Sequence, residues 1–119
     1  MAKANIEVTF EPERVKANAK NEVSMTLKLS TSDDKALWCE CDIYVKYPLS
    51  LAYDRELKAA RSRLGLVKPD RAIEKKIKLY TMPNNSAGQY LVGVVTYAYG
   101  EDGVIEDRQQ RKAELDCVP

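Results

Sequence analysis

A chain of 119 residues, with 19 basic and 18 acidic side chains and a net charge of +1, has the size of one domain that can bury its own core. The near balance of charge excludes a global electrostatic case for nucleic acid or an anionic membrane. The absence of histidine removes the commonest general base and the commonest metal ligand.

In chain order, Asn5 to Phe10 alternates, with Ile6, Val8 and Phe10 on one side and Glu7 and Thr9 on the other. That is the pattern of a half-buried strand, ended by Glu11-Pro12 because proline has no N–H for a ladder. Glu13 to Asn21 reads as a loop with at most a short extended piece near Val15. Glu22 to Ser30 alternates completely, with Val23, Met25, Leu27 and Leu29 inward. STSDDK makes a turn, and its Asp33-Asp34 pair sits in solvated surroundings rather than in a catalytic pair.

Leu37 to Tyr47 alternates again. Leu37, Cys39, Cys41, Ile43, Val45 and Tyr47 share an uncharged face, and Trp38, Glu40, Asp42, Tyr44 and Lys46 share the other. The cysteines therefore belong to the core and are expected to be free and buried with Cys117. Cys39-x-Cys41 lacks the two-residue spacing and the fourth soft ligand of a zinc site. Asp54 resembles an N-cap, Arg55 to Leu64 holds helix formers, and Gly65 suits a left-handed helix end. With Leu57, Ala60 and Leu64 on one stripe, a short amphipathic helix is expected over about residues 54–65. Arg71 to Tyr80 returns to strand.

Pro83 to Gly88 is turn chemistry, and Gln89 to Tyr99 is an uncharged β-branched and aromatic run, the composition of a central strand. Gly100-Glu101-Asp102-Gly103 joins it to a last strand, Val104 to Val118, in a hairpin. The polar first half of that strand is expected to form an edge, and its second half to touch the core through Ala113, Leu115 and Cys117.

These strands predict an all-β, two-sheet sandwich of about seven strands with one short inserted helix, a single domain over 1–119. Glu11-Pro12, Asn21 to Leu27, Met82-Pro83, Ala87-Gly88-Gln89-Tyr90 and Gly103 together resemble the stand-alone immunoglobulin-like domains of bacteria and archaea. The resemblance implies a tyrosine corner at Tyr90, whose hydroxyl bonds back to upstream backbone. Val92 stands where the second cysteine of an antibody-type disulfide would be. The helix is a departure from the family pattern, replacing the connection between the third and fourth strands.

If Tyr90 points inward, so do Val92, Val94, Thr96 and Ala98. The opposite side of that strand then carries Leu91, Gly93, Val95, Tyr97 and Tyr99, beside Trp38 and Tyr44 on a neighbouring strand. A helix of about ten residues, about 15 Å long, would cover less than half of a strand of about 36 Å. The remainder would be exposed. A second asymmetry gathers Arg55, Lys58, Arg61, Arg63, Lys68, Arg71, Lys75, Lys76 and Lys78 in one region, a solvated face, a surface for an anionic partner or one for complementary self-association. Aromatic and basic residues do not interleave on one strand, which makes nucleic acid unlikely.

No nucleophile–base pair, phosphate-binding loop or metal motif occurs, so no enzyme, cofactor or metal is expected. The expected function is a protein-interaction module that binds a partner or itself, as a homodimer, through Trp38, Tyr44, Leu91, Val95, Tyr97 and Tyr99. The alternative is a ligand- or carbohydrate-binding sandwich with the helix as a lid. The start MAKANIEV has no apolar run of signal-peptide type. This gives a cytoplasmic expectation with no membrane partner.

Overall fold

The computed structural model describes residues 4–32 and 34–119. The initial MAK and Asp33 of the Asp33-Asp34 pair lie outside the described residues. Nine strands follow in order: β1 (Ala4–Glu11), β2 (Arg14–Lys16), β3 (Asn21–Thr31), β4 (Leu37–Tyr44), β5 (Leu49–Ser50), β6 (Ala59–Val67), β7 (Ile73–Thr81), β8 (Gly88–Tyr99) and β9 (Ile105–Val118). They form two sheets, ordered β1-β3-β7-β5 and β2-β9-β8-β4-β6. The pairings are antiparallel apart from the short parallel contact of β2 with β9.

The core lies between the inner faces. Val23, Met25, Leu27 and Leu29 of β3 meet Cys39, Cys41 and Ile43 of β4 and Val92 and Val94 of β8, all at most 1% exposed. Period-two alternation produces this because every second side chain of each strand points to one face. Tyr90 is inward and half-buried, and its hydroxyl donates to the Ser86 carbonyl, as the tyrosine corner implied. The buried Asn85 ties three segments together. Its carboxamide accepts from the Ala19 N–H at 3.0 Å and donates to the Lys16 carbonyl at 2.9 Å and to Cys117 Sγ at 3.3 Å.

The helix expected over residues 54–65 is not there: among the described residues there is no helix at all. Residues 59–67 are β6, paired with the whole of β4. An isolated helix of this length is marginal in water, whereas the outer edge of β4 offers a row of backbone groups that a strand satisfies. Leu57 lies in the preceding loop, while Ala60 and Leu64 belong to β6, so the stripe of sequence spacing is not one surface. Gly65 does take a positive φ of 119°, but at a bulge in which Leu64 is the extra residue between the Cys39–Gly65 and Glu40–Arg63 pairs. Asp54 caps nothing and pairs with Arg55 at 3.2 Å. Ser50 organises this loop instead. Its buried hydroxyl donates to the Arg55 carbonyl at 2.7 Å and accepts from the N–H groups of Ala52 at 3.2 Å and Leu57 at 2.9 Å.

The consequence for the surface is direct. Among the described residues no helix lies over β8, so the lid of the ligand-binding alternative has no counterpart there.

Candidate partner-binding face

The registers of β6, β4, β8 and β9 place outward side chains in rows across the five-stranded sheet. The first row is apolar from edge to edge: Leu66, Trp38, Tyr99 and Ile105. Leu66, Trp38 and Ile105 are 45%, 38% and 52% exposed, and Tyr99 is half-buried. The next rows are polar, Arg63–Glu40–Tyr97–Arg108 and Arg61–Asp42–Val95–Gln110. Below them Ala59, Tyr44, Gly93 and Lys112 form a row, with Leu91 and Glu114 beyond it.

Asp42 is the hydrogen-bonded centre of the polar band. Arg61 grips both oxygens of Asp42, Nε to Oδ1 at 2.8 Å and Nη2 to Oδ2 at 3.1 Å. Tyr97 donates to the same carboxylate at 3.2 Å. This bidentate guanidinium, with the phenol beside it, holds the Asp42 carboxyl below the usual range, and Arg61 is correspondingly harder to deprotonate. The sign is that of a depressed acid: the pair is present at neutral pH and is lost as pH falls through the folded-state pKa of Asp42. Arg61 and Arg108 also stand over the Tyr97 ring, at 5.4 and 6.0 Å from its centroid. Trp38 Nε1 donates to Glu40 at 2.9 Å. These contacts hold the rings of Trp38 and Tyr97 in place.

Of the six residues expected on this face, five reach its surface. Tyr44 and Leu91 are 47% and 53% exposed, Trp38 is on the apolar row, and Tyr97 and Tyr99 are half-buried. Val95 faces the same way but is 5% exposed. It sits between Asp42 and Gln110 as a floor. Sequence reasoning missed Leu66 and Ile105, which only the registers bring into the row, and it missed Arg61, which the helix assignment removed from the sheet.

On the inner side of the same strands the three cysteines are free and buried. Burial pushes the thiols of Cys39 and Cys41 up to about 11, with smaller additions from Asp107 and Asp42 respectively. Among the described residues no group of three or more potential ligands is placed to hold a metal ion, and no helix is long and apolar enough to cross a membrane.

The other exterior differs. The outward positions of β1, β3 and β7 include Glu7, Thr9 and Glu11, then Glu22, Ser24, Thr26 and Lys28, then Glu74, Lys76, Lys78 and Tyr80, whose ring meets that of Tyr53 at 5.6 Å. Apart from that aromatic pair, this sheet has the ordinary solvated face of a sandwich.

No family model matches the chain, and no curated protein matches it. Solved structures do. One is a native E. coli alpha-2-macroglobulin, at TM-score 0.65 and 15% identity over 100% of this chain. A chain of the human seminal-plasma complex of Zinc 2-glycoprotein with Prolactin inducible protein aligns at 0.59 and 13%, covering 97% of this chain and 93% of that one. The Bacillus cereus major pilin subunit BcpA aligns at 0.61 and 12%, covering 98% of this chain and 40% of that one. This chain spans 7% of the macroglobulin chain. At these identities the likeness concerns the fold: an immunoglobulin-like β-sandwich.

Proposed function

We propose that this domain is a non-enzymatic protein-interaction module that engages its partner through the outer face of β6, β4, β8 and β9. The observation that carries the reading is the contrast between the two exteriors of one sandwich. One is Thr, Ser, Lys and Glu over most of its rows, with a single aromatic pair, Tyr80 and the exposed Tyr53, at one end. The other exposes Trp38, Tyr44, Leu66, Leu91 and Ile105, with none of the described residues covering them. Folding alone would favour polar residues at such positions, and tryptophan and tyrosine are the types enriched at interface centres. Aromatic rings held by Glu40, Asp42 and two arginines are already ordered, which lowers the entropic cost of docking. Cytoplasmic location belongs to the same proposal.

The test uses the immobilised domain and two surface variants, Trp38→Lys and Tyr44→Glu, each confirmed as folded by circular dichroism. Light scattering across a concentration series reports self-association, and retention from extract reports a foreign partner. Both variants should lose the assembly that the wild type forms. Retention and association unchanged by either substitution would refute the face.

A further inference from the structure

We propose that the depression over Gly93 is the anchor site of this face, receiving an apolar side chain carried on an acidic polypeptide segment. This deepens the reading above and rests on it.

Gly93 lies in the middle of β8, a central strand, where glycine weakens the sheet by its backbone freedom and its missing side chain. Nothing in the fold requires it. Its φ is not in the left-handed region, and a Cβ added there would meet Tyr44 Cβ at 3.7 Å, an ordinary contact. A glycine that the chain does not need for itself marks a place where something else comes close to the backbone. The space it leaves is a depression of 470 Å³, walled by Tyr44, Ala59 and Leu91. It is apolar at the bottom and open to solvent.

The rim carries three lysines, with the carboxylate of Glu114 just outside it beside Leu91. Lys46 follows β4, Lys58 precedes β6 and Lys112 is on β9, so three separate segments bring ammonium groups to one hollow. Lys58 is paired with Glu56 at 3.4 Å, while Lys46 and Lys112 form no ion pair among the described residues. Complementarity therefore asks for a partner with carboxylates flanking an apolar anchor. A second copy seated on the same hollow across a two-fold axis would bring lysine rim against lysine rim. A free small molecule would stay half in water, since Tyr44 and Leu91 are 47% and 53% exposed. A polypeptide can continue over Val95 and Tyr97.

The probe is a blocked pentapeptide with one phenylalanine between two pairs of aspartates, followed by amide chemical shifts on the isotope-labelled domain. Shifts should concentrate at Gly93, Tyr44, Leu91 and Lys112. They should weaken with added salt and vanish when phenylalanine is replaced by alanine or the aspartates by asparagines. Lys112→Glu should weaken binding about fivefold, the scale of a rim charge. Gly93→Val should raise the denaturant midpoint and abolish binding, a combination that simple misfolding cannot produce. Absence of shifts, equal binding of the asparagine peptide or of phenylacetate, or full binding by Gly93→Val would overturn the proposal. The two readings fail separately. If Trp38→Lys abolishes assembly while Gly93→Val still binds peptide, the face stands and the anchor falls. If Trp38→Lys and Tyr44→Glu leave assembly intact, the face falls whatever the peptide does.

Discussion

Thr96 illustrates what single residues carry. It faces the core from β8 opposite Cys41, and its Oγ1 is buried without a hydrogen-bond partner among the described residues. Asn85, equally buried, has its carboxamide satisfied by three partners. An orphaned hydroxyl costs stability, whereas a satisfied amide holds β2, β9 and the turn before β8 together. Thr96→Val should therefore raise unfolding free energy by about 1 kcal/mol, read as a higher urea midpoint at unchanged slope. A lower midpoint would show that the hydroxyl has a partner. Alternation told that Thr96 and Asp42 lie on opposite faces. It did not tell that Val95, on the outer side, would be sealed by the polar band, because that depends on Asp42 and Gln110 arriving from two other strands.

Among the elements, β6 separates local preference from tertiary demand. Ala59, Ala60 and the arginines favour helix weakly, and the preference lost to the unpaired edge of β4. The positive φ expected at Gly65 is present, although its cause is a bulge rather than a helix end. Bulges are not legible in one sequence, because they are defined by the partner's register. Gly65→Ala should destabilise the fold by about 1–2 kcal/mol, since φ of 119° is strained for any residue with a Cβ. An unaltered thermal midpoint would mean that the bulge relaxes. By contrast β1, β3, β4 and β8 were legible from alternation and composition, and the edge position of the first half of β9 from its charges.

For the whole molecule, the two-layer architecture followed from counting strands that alternate, and so did the aromatic exterior. What sequence could not supply was cover: whether a face is hidden by its own chain depends on the placement of residues 51–67. The buried thiols provide a readout at this scale. Cys39 and Cys41 are 0% exposed and Cys117 is 4% exposed, so alkylation of the native protein should be slow at all three. The rate should rise with pH as the exposed thiol of the opened chain ionises near about 8.5, not near the folded value of about 11. Prompt modification of all three at neutral pH would contradict the packing.

The thiols also make a pair of clocks. With a folded-state pKa of about 11, only roughly one Cys39 or Cys41 in ten thousand is ionised at pH 7. Chemistry must therefore wait for the sandwich to part. β4 lies inside its sheet, between β6 and β8, whereas Cys117 lies near the end of β9, where the three residues of β2 form the outer pairing. Fraying of that corner releases Cys117 alone, and separation of the sheets releases the other two together. Two time constants from one labelling experiment would then report local and global opening of the same molecule.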